Sequence, residues 1–426
     1  MNKVNVGVIG FGTVGAGAVK LLLDNAGDIS ERAGVDICVK GIADLDTVTD
    51  RRIGRDVSAL LTEDAYKLIG DPDIHVIVET IGGVRPAGKF IADALTAGKS
   101  VVTANKMLIA KEGAELMELA RRKGADFLFE ASVAGGIPII DVIRNNLAAN
   151  RITRILGIVN GTTNYVLTEM KKGKSYSDTL KDAQRLGYAE QDPTSDVEGF
   201  DSMYKLAILS KLCFNTEIRA EDIYREGITG LADYDVKYAS EMGYEIKLLA
   251  MAENKDGCIF AGVHPTLVPR EHPIAGVNGV MNAVFLSSDG AGDTMYCGAG
   301  AGSLPAGSAI AGDVVEAARN IATGCQGSGN IHPYRNIPAA PSSALVRRNY
   351  VRITVKDKPG CIAAIAGAFA DNMVSLESVI QKNTRDGLAE VVWLTHEASE
   401  EKMLKALDTI KNIPMVDSIA SRIRVL

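Results

Sequence analysis

Residues 187–205 read GYAEQDPTSDVEGFDSMYK. Five carboxylates, Glu190, Asp192, Asp196, Glu198 and Asp201, fall in this stretch, and Lys205 follows four residues after the last of them. FDSMYKLAILSKLC has helical spacing, so Asp201 and Lys205 project from one face as an i, i+4 pair. A surface ion pair is the ordinary use of that spacing. Met203, Leu206, Ala207, Leu209 and Leu212 make the helix largely apolar and argue for burial instead. A buried lysine is costly unless paired, and its pKa moves readily, which suits proton transfer. A site rich in carboxylates also calls for a cationic ligand, such as the ammonium of an amino acid.

A second constellation lies near the start of the chain. VNVGVIG reads as a buried strand, and GFGTVG follows it, placing Gly10, Gly12 and Gly15 in the pattern G-x-G-x-x-G. Such glycines permit a tight turn, close backbone approach to a pyrophosphate and close helix packing, and the helix N-terminus behind them favours an anion. Gly10, Phe11, Gly12, Thr13, Val14 and Gly15 are therefore the expected dinucleotide contacts. The next strand ends in GIADLD, where Asp44 is placed to bond the adenosine ribose hydroxyls and repel a 2′-phosphate, favouring NAD. Arg51, Arg52 and Arg55 lie close by and offer the opposite choice, NADP.

These residues require a scaffold. Over 4–130, short apolar runs alternate with helical patterns, which predicts a parallel sheet with helices on both faces. We expect a nucleotide-binding domain over 1–134, completed by a helix over 305–328. The intervening 135–304 reads as α+β, with PIIDVIRNNLAA as a helix and strands around FAGVHPTLVP and NGVMNAVFLSS. Residues 329–348 are rich in proline and read as a linker. The order strand, helix, strand, strand, helix, strand over 349–426 predicts a ferredoxin-like unit. The fold class is α/β with three parts: a Rossmann-type doubly wound sheet, an α+β substrate and dimerisation domain, and the C-terminal unit.

Composition narrows the function classes. The 426 residues are 46% hydrophobic and carry a net charge of −7 without a basic run, so nucleic acid is a poor partner. No stretch is steadily apolar enough for a membrane span. The six cysteines are scattered without a C-x-x-C pair, which fits reduced thiols and a cytoplasmic protein.

The stretch 183–205 resembles the signature of the homoserine dehydrogenase family, with Ala183, Gly187, Asp192, Pro193, Asp196, Gly199, Asp201 and Lys205 at its fixed positions. The resemblance continues through TANK (103–106), EASVAGGIP (130–138), NGTTN (160–164) and GAGAG (298–302). It implies interconversion of L-homoserine and L-aspartate 4-semialdehyde with NAD(P). It makes Lys205 the proton donor and Lys106 a second lysine near nicotinamide and substrate. Glu190 and Asp201 would hold the substrate, with Asp196 in support. Gly187 and Gly300 would bring backbone to the cofactor. Glu130, with the carbonyls of Val133, Gly135 and Ile137, would hold a monovalent cation, for which sodium fits. Relatives often carry arginine in a V-R-D stretch after the second strand. Here Ile42-Ala43-Asp44 stands, which puts exclusive NADP use in doubt.

The C-terminal unit resembles an ACT domain. Its D-x-P-G loop, with Asp357, Pro359 and Gly360, opens a helix whose free N–H groups suit an amino-acid carboxylate. The resemblance implies L-threonine as effector and a homodimer or homotetramer. Two other readings remain at this stage. One is a different Rossmann dehydrogenase carrying an ACT domain, which would be expected to centre on histidine or arginine. The other is an amino-acid sensor with a decayed site, against which intact Lys106, Asp201 and Lys205 argue.

Overall fold

The computed structural model describes residues 3–330, 334–341, 343, 345–385 and 387–426. Of the expected linker, residues 331–333, 342 and 344 lie outside the described residues. The chain forms two compact units. The first is Met1–Ile155, Tyr204–Glu221 and Met281–Asn336, and the second is Leu156–Met203, Asp222–Val280 and Ile337–Leu426.

The first unit holds a six-stranded sheet of Lys3–Ile9, Asp36–Ala43, Leu61–Thr62, Val76–Glu79, Ser100–Thr103 and Phe127–Leu128. Every pairing is parallel, and the spatial order is third, second, first, fourth, fifth, sixth. Its inner strands Val76–Glu79 and Ser100–Thr103 are buried throughout, as strands covered on both faces are. Order reverses between the first and fourth strands, and the crevice at such a switch point is where this topology binds nucleotides. The completing helix begins at Ser303, earlier than expected, and ends at Thr323. Its Ile310, Val314, Ala317 and Ala318 join Val6, Val8 and Val19 in one core.

The second unit contains a mixed sheet. Tyr244–Lys255 and Cys258–Pro269 form a long antiparallel hairpin. The last strand, Val416–Val425, pairs in parallel with Cys258–Pro269 through Thr266↔Arg424 and Leu267↔Val425. It also pairs with Val346–Lys356, which continues the sheet to Leu388–Thr395 and Leu376–Arg385. Helices Cys361–Asp371 and Glu400–Lys411 cover this end, over a core of Phe369, Trp393, Met403 and Ile410. The ferredoxin-like order is therefore present. Helix Asp233–Glu241 docks on the same sheet by polar contacts. Asp235, fully buried, accepts from Arg352 Nε at 2.7 Å, Tyr350 Oη at 3.0 Å and Ser421 Oγ at 2.6 Å. Tyr238 Oη donates to Glu390 Oε2 at 2.6 Å.

Three expectations need correction. PIIDVIRNNLAA is a single short turn, Ile139–Asp141, that widens into a π-helical segment, Val142–Asn146. Its start is held by the carboxylate of Glu130, so the backbone direction is set by that contact rather than by apolar period. The last apolar run of the alternating 4–130 region, ADFLFEA, makes only a two-residue strand, Phe127–Leu128, because the chain turns into a 3₁₀ segment at Glu130–Ser132. Several strands went unread, Tyr244–Lys255 and Ile152–Ile158 among them. Tyr244–Lys255 is rich in Leu, Ala, Met, Glu and Lys, all good helix formers, yet its partner strand overrides propensity. Ile152–Ile158 is interrupted by arginine at 154, which hides its apolar face.

Candidate active site

Gly10 ends the first strand with φ 101, a left-handed conformation that glycine adopts without strain. Its carbonyl accepts from Thr80 Oγ1 at 2.8 Å, tying the loop to the end of the fourth strand. A Cβ on Gly15 would lie 2.1 Å from the Gly10 carbonyl oxygen, so only glycine allows the helix to approach the turn. A Cβ on Gly12 would meet nothing within 4 Å. The space beside Gly12 is open, and Gly12 caps helix Thr13–Asp24 without a side chain, leaving the helix N–H groups to an outside anion. These features fit a dinucleotide pyrophosphate.

Asp44 stands where expected, but its carboxylate is turned to the loop. Its Oδ2 accepts from Phe11 N at 2.5 Å and its Oδ1 from Asp46 N at 2.9 Å. Arg51 pairs with Asp46 at 2.9 Å and Arg55 with Asp24 at 2.8 Å, so acids already engage two of the three nearby arginines. Arg52 has φ 54.

Lys106 opens helix Lys106–Lys123, and the preceding residues of its motif hold it in place. Asn105 caps the helix through Leu108 N at 3.2 Å and donates to the Gly83 carbonyl at 2.6 Å. Thr103 Oγ1 donates to buried Glu79 at 2.6 Å and accepts from Asn105 N at 3.1 Å. Glu79, which nothing in the sequence singles out, also takes Ile81 N and Gly82 N. The lysine thus stands at the carboxyl end of the fifth strand on a rigid base.

Helix Phe200–Phe214 carries both Asp201 and Lys205. Asp201 is buried and Lys205 is partly exposed, one turn apart. In the second unit the structure brings Asp196 and Asp201 together on one side chain, Asn160. Its Nδ2 donates to Asp196 Oδ1 at 2.8 Å and to Asp201 Oδ2 at 2.9 Å. Asn160 lies in the NGTTN motif without a role that local spacing could reveal, since its partners are 36 and 41 residues away. The far end of that motif is pinned by Lys247, which donates to Asn164 Oδ1 at 3.3 Å, Val277 O at 2.5 Å and Asn278 Oδ1 at 3.1 Å. Burial pushes the Lys247 ammonium down to about 8. Glu190 is exposed in the loop, where Gln184 Nε2 donates to its carbonyl at 3.2 Å. Gly187 has φ 76 and is exposed, and the following Tyr188 carbonyl accepts from Thr162 Oγ1 at 2.6 Å.

In the first unit, the turn after the sixth strand holds Glu130, 5% exposed. Its oxygens accept from Ile140 N at 2.8 Å and Asp141 N at 2.7 Å, and its own N–H donates to Asp313. Burial raises the Glu130 carboxyl to about 7 despite those two donors. Val133 and Ile137 are buried, and Gly135, with φ 53, abuts the backbone of Gly300. Among the described residues no three His, Cys, Asp or Glu side chains cluster as a metal site, so a cation here would depend on backbone carbonyls besides Glu130. Oxygen donors alone fit a hard cation. Gly300 lies against the buried carboxamide of Asn282, which leaves no room for a side chain.

At the C-terminal loop, Asp357 and Pro359 are exposed and Gly360, with φ 90, caps helix Cys361–Asp371 without a side-chain bond. Among the described residues no helix is long and apolar enough to cross a membrane.

Comparison with known proteins adds three family matches. Residues 10–130 match the model described as homoserine dehydrogenase, NAD binding domain; 138–315 match homoserine dehydrogenase; 349–414 match the ACT domain. The chain is 39% identical over 428 residues to the homoserine dehydrogenase of Bacillus subtilis (strain 168), covering 100% of this chain and 99% of the relative. It is 41% identical over 435 residues to that of Neisseria gonorrhoeae, with the same coverage. Among solved structures, a homoserine dehydrogenase from Thiobacillus denitrificans superposes with a TM-score of 0.93 at 40% identity, covering 100% and 99% of the two chains. A hyperthermophilic archaeal homoserine dehydrogenase mutant in complex with NADPH gives a TM-score of 0.63 at 29% identity, covering 74% of this chain and 97% of that one.

Proposed function

The chain belongs to the homoserine dehydrogenase family, with an ACT domain at its C-terminal end; from that premise we propose that it interconverts L-homoserine and L-aspartate 4-semialdehyde through Lys205 and the acids clamped beside it. It is an NAD(P)-dependent oxidoreductase. The observation that carries the site assignment is Asp201 joined to Asp196 through Asn160, one helical turn before Lys205.

A bound nicotinamide dinucleotide would supply the hydride exchange with the alcohol carbon. The Gly10–Gly15 loop and the N-terminus of helix Thr13–Asp24 receive its pyrophosphate. Asp196, Asp201 and Glu190 receive the substrate ammonium, which fixes the distance from the amino-bearing carbon to the reacting end. When the aldehyde is reduced, its oxygen gains negative charge, and the Lys205 ammonium gives that oxygen a proton; in the other direction Lys205 takes it back. Lys106 lowers the cost of the oxyanion by its fixed positive charge. Gly187 and Gly300 supply backbone close to the cofactor. Glu130, with the carbonyls of Val133, Gly135 and Ile137, would hold sodium in a structural role.

NAD is the favoured cofactor, because an acid, Asp44, follows the second strand and acids engage Arg51 and Arg55. The Asp357–Gly360 loop is the proposed site for the carboxylate of L-threonine as feedback effector, in an oligomer of two or four subunits. Steady-state assays with L-homoserine and either cofactor, with and without L-threonine, test this reading. Reduction of cofactor, faster with NAD and suppressed by threonine, is the expected result. Faster reduction of NADP would give the ribose pocket to the arginines, and indifference to threonine would leave the ACT domain an assembly element.

A further inference from the structure

Asn160 is 6% exposed, and both ends of its carboxamide are in use. Its Oδ1 accepts from Thr163 N at 2.9 Å and from Thr163 Oγ1 at 3.0 Å, capping helix Gly161–Lys171. A backbone N–H can only donate, so this oxygen must face Thr163, and the NH₂ must face the acids. That group has two hydrogens, one for Asp196 Oδ1 and one for Asp201 Oδ2. The helix cap therefore locks the plane of the amide that spans the two carboxylates.

Two carboxylates drawn to one nitrogen repel each other, and ordinarily one of them keeps a proton. A group that only donates, and donates to both, favours both ionised forms. A carboxylate has lone pairs for more than one donor, so each acid can take an ammonium hydrogen as well. The geometry points to Asn160 as the positioning residue that makes the site selective for an amino-bearing alcohol, by clamping Asp196 and Asp201 as an ionised pair. This rests on the assignment of the site to homoserine. Asn160 does not touch the reacting atoms; it acts through the two acids.

The dual use of the amide allows the roles to be separated. Asn160→Ser keeps a strong helix-capping oxygen and removes the donor to the acids. L-homoserine and 4-hydroxybutanoate share chain, alcohol and carboxylate, and differ only in the ammonium. Selectivity is measured as kcat/KM, or as an inhibition constant where turnover of the deamino compound is too slow. In the serine variant the preference for homoserine should fall at least about tenfold, which is about 1.4 kcal/mol. The fall should come from KM more than kcat, with melting temperature and NADH affinity near wild type. Unchanged selectivity in the folded variant would overturn the inference. So would an equal loss on both compounds with a lowered melting temperature, which marks a merely structural residue.

Asn160→Asp gives a second readout that holds if the serine variant does not fold. It preserves shape and cap but places a third acceptor among the acids, so a proton must stay in the cluster at neutral pH. Its kcat/KM for homoserine, taken as a ratio to wild type at each pH so that the pH dependence common to both enzymes cancels, should be depressed at neutral pH and recover at higher pH. A pH profile identical to wild type would overturn the clamp. A wild-type enzyme that leaves L-homoserine unoxidised would instead overturn the assignment beneath it.

Discussion

Asp201 and Lys205 have the spacing of an ordinary helix-surface ion pair, and the structure gives reasons to assign them more. Asp201 is buried and held by an amide whose own orientation is fixed by a helix cap. On the proposed function, that support readies Asp201 for the substrate ammonium, and the lysine one turn later would carry the proton. Replacing Lys205 by Ala should therefore lower kcat by about 10²–10⁴-fold, the usual worth of a positioned proton donor. NADH binding, followed by fluorescence, and the melting temperature should stay near wild type. Comparable turnover in that variant would remove Lys205 from the mechanism. The acids and Lys205 were legible because they crowd one short stretch and are chemically costly, whereas Lys106 was legible only through the resemblance. Asn160 and Glu79 were not, since each works through partners brought close only by the fold: Asp196 and Asp201 for one, Thr103 for the other.

At the scale of elements, the glycine-rich turn makes a contrast that can be measured. Gly12 has open space where a Cβ would go, while a Cβ at Gly15 would strike the Gly10 carbonyl oxygen at 2.1 Å. Gly12→Ala should leave the fold intact, with melting temperature near wild type, and weaken dinucleotide binding because the methyl occupies the pyrophosphate's approach. Gly15→Ala should separate helix Thr13–Asp24 from its strand and lower the melting temperature itself. Calorimetric melting and cofactor titration of the pair check this, and equal stability with equal binding would contradict it. The parallel sheet was readable because strands buried on both faces appear as unbroken apolar runs between helical patterns. Tyr244–Lys255 was not, because its residues favour a helix and only its twelve-residue hairpin with Cys258–Pro269 makes it a strand. The π-helical Val142–Asn146 follows a turn seized by Glu130, a tertiary contact without a local signal.

For the molecule as a whole, acid stability follows from a histidine the chemistry does not use. His264 is buried in the second unit, and burial, with the Arg424 guanidinium near it, pushes its pKa down to about 3 from the usual 6.5. Between those values the unfolded chain takes a proton that the folded chain refuses. The folded state therefore loses stability as pH falls below about 6.5, by at most about 1.4 kcal/mol per pH unit from this group. His264→Gln should show a shallower acid-side fall than wild type in urea unfolding at a series of pH values; parallel curves would contradict the assignment. The order of parts along the chain was legible from changes in period and from the proline-rich stretch. The parallel pairing of the last strand with Cys258–Pro269 was not, because it joins Thr266 to Arg424 across most of the C-terminal half. Hydride transfer between a nicotinamide and the terminal carbon of a four-carbon amino acid can be followed with an isotope. The enzyme would be given L-aspartate 4-semialdehyde and NADH or NADPH carrying deuterium at both C4 positions of the nicotinamide, and the product examined by NMR. L-Homoserine carrying one deuterium at C4 is the expected product; unlabelled product, or none with folded protein and either cofactor, would rule the reaction out.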